Sequence, residues 1–180
     1  MRQRSGLILC VCCLFFCASC GSKQIDGTFR SATQSSQKED DSPNIAYNKK
    51  EIALENESIN LFLKRYGWQP KVTPTGLRIE ILQVGSGEFL KTGDKVTLKY
   101  ETKLLSGELV YSSKTDSVKS FVIDKSEEIV GLHEAAKMLK QNSKARLIIP
   151  SYLAYGLAGD GYYIVGRQAL VMTVEVVVND

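Results

Sequence analysis

One histidine, His133, stands in a chain of 180 residues, and all five cysteines (Cys10, Cys12, Cys13, Cys17 and Cys20) fall before Gly21. The rest of the chain therefore has no thiolate, and no second imidazole to complete a transition-metal site or a Ser-His-acid relay. His133 follows Leu132 in a helical pattern and reads as a rim or surface residue. Gly156, Gly159 and Gly161 do not lie between a strand and the helix it opens, so they are not a phosphate loop. What remains is a Tyr- and Gly-rich connection from Tyr152 to Gly166. Loops of this length in compact domains are usually functional. This one presents Tyr152, Tyr155, Tyr162, Tyr163 and Ile164, side chains that suit an apolar peptide-binding pocket rather than proton, electron or group transfer.

The elements that must position this loop are read from periodicity. Leu77, Ile79 and Ile81 alternate with Arg78, Glu80 and Leu82, and Gly85-Ser86-Gly87 then turns the chain. Val96, Leu98, Tyr100 and Thr102 alternate with charged neighbours up to a turn at Ser106-Gly107. Shorter strands are expected near residues 108–113 and 118–123, then 146–149, with the longest at 169–178. Between them, Ile129, Leu132, Ala136 and Leu139 fall on one face of a helix over 127–139, with Glu128, Glu134 and Lys137 outside that face. Several antiparallel strands around one short amphipathic helix make an α+β domain over residues 75–180. Residues 45–74 precede it as a helical segment. There Ile52, Ile59, Phe62 and Tyr66 recur at helical spacing from about Lys49, and Gly67 stands at the C-terminal stop. That helix either lies on its own domain or pairs with a second copy to give a homodimer.

Residues 1–19 read as an export leader: basic Arg2 and Arg4, an apolar run from about Leu7 to Ala18, then small residues. The run is too short to span a bilayer, which takes about 20 residues. Residues 20–44, rich in Ser, Gln, Thr, Asp and Lys, read as a flexible tether. Without Arg2 and Arg4, 21 basic side chains face 20 acidic ones. A net charge of +1 supports no nucleic-acid partner.

Two resemblances add to this reading. Cys17-Ala18-Ser19-Cys20 resembles the bacterial lipobox, which implies lipidation of Cys20 and a lipid-anchored protein of the cell envelope facing the periplasm or the surface. Ile148-Ile149-Pro150-Ser151-Tyr152-Leu153-Ala154-Tyr155-Gly156 resembles the strand-and-loop signature of FKBP-type peptidyl-prolyl cis-trans isomerases. Gln168-Ala169-Leu170-Val171, Ile129-Val130-Gly131-Leu132 and Leu105-Ser106-Gly107-Glu108 fall in register with it, so the likeness covers about Thr75 to Asn179. Leader, tether and helix together resemble the gliding-associated isomerase lipoproteins of that family.

The resemblance implies an FKBP-like sheet wrapped over the helix, no cofactor and no metal, and proline-containing polypeptides as clients. It makes the Tyr155 hydroxyl and the Ile129 backbone N–H the catalytic donors to client carbonyls. Tyr100, Val110, Tyr111, Leu132, Ile164 and Met172 become the substrate-binding surface. Departures from the family pattern stand out. Val110-Tyr111 replaces Phe-Asp, Lys119 stands at a pocket Phe position, Leu132 replaces a Trp floor and Met172 a Phe, and Val165-Gly166 replaces Pro-Pro. The pocket is thus expected to have lost aromatic walls and its acidic side chain, with Tyr111, Tyr162 and Tyr163 refilling part of the space. Three functions follow: a prolyl isomerase for exported proteins, a non-catalytic binding module or chaperone on the same fold, or a tethered subunit of an envelope complex.

Overall fold

In a computed structural model of the chain, residues 43–177 are described. The expected leader, Cys20 and nearly all of the expected tether lie outside them. The chain begins with helix α1 (Pro43–Tyr66), followed by strands β1 (Lys71–Val72), β2 (Arg78–Gln83), β3 (Ser86–Phe89), β4 (Lys95–Leu104), β5 (Leu109–Ser112) and β6 (Lys119–Val122). Helix α2 (Val130–Ala136), β7 (Lys140–Gln141), β8 (Lys144–Ile149) and β9 (Leu170–Val177) complete it. The main sheet runs β1-β2-β8-β9-β4-β5, with β6 also on β4, and every pair is antiparallel.

Alternation explains which way the sheet faces. In β4, Val96, Leu98, Tyr100 and Thr102 are buried while Lys95, Lys99 and Lys103 are exposed. They share a core with Leu147 and Ile149 of β8, with Leu170, Met172, Val174 and Val176 of β9, and with Leu132, Ala135 and Ala136 of α2. Pairing puts Tyr111, Thr102, Met172, Leu147 and Ile79 in one row across five strands. The opposite face is also covered. Ile148 and Val171 pack with Ile59 of α1, alongside Phe62, Leu63 and Trp68. The two central strands, apolar on both faces, therefore read as near-continuous hydrophobic runs.

Helix α1 packs on its own sheet through a narrow stripe; Ile59 is its one buried residue, and Ile52, Leu54 and Leu61 face outward. It includes Pro43 and Asn44 and starts six residues before the expected Lys49, without apolar periodicity in that first part. Its end is as the sequence predicts: Gly67 takes φ +64° and the Trp68 N–H reaches the Leu63 carbonyl at 3.0 Å, a Schellman closure. Polar ties fix α1 to the domain. Arg78 donates to Asn56 at 2.9 Å and to the Gly76 carbonyl, and burial lowers its affinity for the proton, offset in part by Tyr152 and Glu55.

Several expectations need correction. Ile81 is exposed rather than core, because the β2–β8 register shifts between Ile81 and Gln83 and the strand leaves the core face. Ser86 opens β3 instead of a simple turn, and Gly85 allows the close approach to β7: a Cβ there would sit 1.9 Å from the Gln141 carbonyl oxygen. The helix is half the expected length, with Glu127 and Glu128 in the loop before it and Ile129 extended at its N-cap (φ −61°, ψ 139°). His133 is buried, not a surface residue. Its Nδ1 accepts the Asp124 N–H at 3.0 Å, its Nε2 lies 3.1 Å from the Ser126 carbonyl oxygen, and its ring meets Phe121 edge to face. The β6–α2 loop wraps around this imidazole.

Candidate active site

The site is assembled where the start of α2, the β4–β5 edge and the 152–166 loop converge. Gly131 lets α2 begin hard against the sheet: a Cβ there would stand 2.4 Å from Ile149 Cγ2 and 3.2 Å from the Leu153 carbonyl oxygen. The loop leaves β8 through Pro150 and a single 3-10 turn at Ser151–Leu153. That turn is anchored by Glu55 of α1, which accepts from the Ser151 N–H at 2.7 Å and its hydroxyl at 3.0 Å. The loop then closes on itself. Arg167 N–H reaches the Gly156 carbonyl, and Asp160 N–H the Ile164 carbonyl. Gly159 (φ +77°) has no room for a Cβ, which would meet Ile164 O at 2.2 Å.

All eight predicted pocket residues join one apolar cluster. Tyr100, Ile129, Leu132, Ile164 and Met172 are buried in it, while Val110, Tyr111 and Tyr155 are partly buried at its margin. Leu132 and Met172 are 1% exposed, so they form a sealed floor beneath the rim rather than contact surface. Burial, followed by the nearby charges of Glu128 and Asp160 and by Tyr100, pushes the Tyr155 hydroxyl up to about 12, so it stays a proton donor at any physiological pH. Among the described residues that hydroxyl has no hydrogen-bond partner.

Three side chains depart from expectation. Tyr152 faces away from the cluster, its hydroxyl donating to the Thr75 carbonyl at 2.9 Å. Tyr162 points into solvent at 87% exposure, whereas Tyr163 meets Tyr111 edge to face at 5.7 Å. The third is an acid the sequence reading missed. Asp160 supplies a carboxylate to the rim: the Tyr111 hydroxyl donates to Oδ2, and the N–H groups of Tyr162 and Ile164 donate to Oδ1, each at 2.9 Å. Burial opposes its charge, but these hydrogen bonds win and hold the carboxyl below the ordinary carboxylate range. Burial and this bond raise the Tyr111 phenol. A readable signal existed, since an Asp between two glycines is an Asx-turn signature.

The opposite wall is an ion pair. Lys119 Nζ lies 2.9 Å from Glu128 Oε2 and 5.4 Å from the centre of the Tyr100 ring. Glu128 Oε1 accepts the Ile129 N–H at 2.9 Å, so the expected backbone donor is already engaged. Other hollows lie away from this cluster. One of about 490 Å³ is bounded by Ile52, Glu55, Tyr152, Leu157 and Arg167, between α1 and the outer side of the loop.

Comparison with known proteins agrees with this architecture. The profile of the family "FKBP-type peptidyl-prolyl cis-trans isomerase" matches residues 86–177. The chain is 35% identical over 107 residues to the probable FKBP-type peptidyl-prolyl cis-trans isomerase FkpA of Neisseria meningitidis, covering 59% of this chain and 39% of that protein. To FkpA of Escherichia coli it is 37% identical over 90 residues, 49% of this chain and 33% of that one. The chain thus spans about a third of the length of these curated relatives. The crystal structure of E. coli FkpA superposes with a TM-score of 0.61 at 30% identity, covering 74% of this chain and 63% of that chain. A Pseudomonas syringae peptidyl-prolyl cis-trans isomerase gives 0.60 at 25% identity, covering 77% and 96%. With the matched profile spanning more than half of the chain, and with the fold and its signature loop in register, this chain belongs to the FKBP-type peptidyl-prolyl cis-trans isomerase family.

Proposed function

We propose that the chain catalyses cis-trans isomerisation of X-Pro bonds in exported polypeptides, from a cell-envelope position held by a lipid on Cys20. Rotation about the amide faces a barrier of about 18–20 kcal/mol because resonance stiffens the C–N bond. Neither acid nor nucleophile is needed. The twisted amide has lost resonance and is less polar than the planar one, so an apolar enclosure favours it relative to water. Tyr155 carries the reading: an unpartnered hydroxyl, kept protonated by burial, above an apolar floor of Leu132, Ile164 and Met172. It donates to a client carbonyl while the proline ring rests between Tyr100, Val110 and Tyr111. Exposed Tyr162, Tyr163, Val165 and Leu157 extend the apolar surface toward a longer client.

A second reading, binding without catalysis, is favoured by two observations. The floor is sealed, and Ile129 N–H is held by Glu128. A protease-free refolding assay on a proline-limited substrate separates the two. Catalysis that falls at least several-fold in Tyr155→Phe supports isomerisation; refolding no faster than in buffer leaves the binding reading. For the anchor, a Cys20→Ser chain released from the membrane fraction supports lipidation, and one retained there refutes it. No helix among the described residues is long and apolar enough to cross a membrane.

A further inference from the structure

Lys119 and Glu128 stand face to face in the wall of the site, on β6 and on the residue before the N-cap of α2. Their charged groups are largely withdrawn from solvent, with side-chain exposures of 27% and 11%. Ion pairs this sheltered are costly to desolvate and add little stability over an apolar pair. Both carboxylate oxygens of Glu128 are nonetheless committed: Oε2 to Lys119 Nζ and Oε1 to the Ile129 N–H, each at 2.9 Å. The same charge acts on Tyr100 and Tyr155, which puts it inside the site and not beside it.

Resting on the isomerase reading, we propose that Glu128 is an internal competitor for the client. Its carboxylate occupies the backbone donor that a client carbonyl would take, and Lys119 keeps it in place. A charged acceptor outbids an amide carbonyl for the same N–H, and this one is covalently tethered next to it. A client must therefore displace Oε1. The swing strands no buried anion, because Oε2 retains Lys119 when Oε1 lets go. Only segments whose proline and neighbours pack well enough against the rim of Tyr100, Val110 and Tyr111 bind productively, so Glu128 raises the affinity threshold for clients without touching the rotation itself.

The test compares the full chain with Glu128→Gln and Glu128→Ala on a neutral, end-blocked tetrapeptide with one X-Pro bond. Removing the competitor lowers KM about tenfold in Glu128→Ala with kcat little changed, and Glu128→Gln falls between, since its amide oxygen still accepts but without charge. In parallel, the Ile129 amide proton resonance moves upfield in Glu128→Ala. A merely structural role would lower kcat or leave KM alone. An unchanged or raised KM with an unmoved Ile129 resonance overturns the proposal. Should the wild-type chain and both variants fail to catalyse rotation, the isomerase reading fails by itself. The competitor is then judged by peptide Kd from the same resonances: tighter in Glu128→Ala supports it, equal or weaker refutes it.

Discussion

Replacing Asp160 by Ala removes three accepted hydrogen bonds at once, from the Tyr111 hydroxyl and from the N–H groups of Tyr162 and Ile164. They do not count equally. Tyr162 is almost fully exposed, so water takes over its N–H, whereas Ile164 is 2% exposed and its N–H is left without a partner. Hydrogen bonds to charged groups contribute about 1.5–3 kcal/mol when sheltered and less at a wet rim, so the loop loses roughly 2 kcal/mol. That corresponds to about 30-fold more frequent opening of residues 159–166. Amide hydrogen exchange at Ile164 reads it directly, and client affinity should fall with it. In a double-mutant cycle with Tyr111→Phe, the coupling should be about 1 kcal/mol. Acid gives an independent check. The Asp160 carboxyl is depressed in the fold, so its contribution is present above the unfolded value of about 3.9 and is lost as pH falls through the folded one. Wild-type loop protection should decline in that acid window and Asp160→Ala protection should not. Unchanged exchange at Ile164, or additive effects of the two substitutions, would refute the idea that this carboxylate shapes the loop.

Other perturbations are as specific. His133→Ala leaves the Asp124 N–H and the Ser126 carbonyl unpaired beneath the β6–α2 loop, which should cost about 2–4 kcal/mol in urea unfolding; a loss under about 0.5 kcal/mol would mean that the imidazole is not the tie. Glu55→Ala frees the Ser151 N–H and hydroxyl and should speed exchange at Ser151 by about tenfold, with the α1 contacts at Ile59 intact; equal exchange would show that α1 does not brace the 152–166 loop. In an alkaline titration followed by tyrosinate absorbance, Tyr155 should ionise only near about 12. Its folded value is raised, so its contribution to stability is full below the ordinary phenol value of about 10 and disappears as pH rises through the folded one. A Tyr155→Phe chain that titrates identically would contradict this.

The fold was readable where period and burial coincide. Val96, Leu98, Tyr100 and Thr102 alternate because one face of β4 meets the core, and Gly67 stops α1 because only its backbone takes φ +64° at no steric cost. Elements set by long-range pairing were not readable: β3 and β7 are four and two residues long and exist only against each other. His133 misled for the same reason. Its burial comes from Phe121 on β6, which covers a second face of α2 and leaves no trace in the helical period. At the site, the clustering of Tyr100, Tyr111, Tyr155 and Ile129 with Leu132, Ile164 and Met172 was legible in the sequence, whereas the outward turn of Tyr152 and Tyr162 was not. The compensations were not, because each is a contact between distant parts of the chain. Tyr111, written where the family has its acid, recovers a carboxylate 49 positions away in Asp160. Lys119, written where the family has a ring, finds Glu128 across the wall.

The most direct measurement is exchange spectroscopy of a short proline peptide with a sub-stoichiometric amount of the chain. Uncatalysed X-Pro rotation takes tens of seconds or more, so the free peptide shows no exchange peaks at mixing times of about a second. Cross-peaks between the cis and trans resonances should appear when the chain is added, and be lost or markedly weakened with Tyr155→Phe. Peptide resonances that shift or broaden on binding, while cis and trans remain unconnected, would contradict isomerisation by the chain.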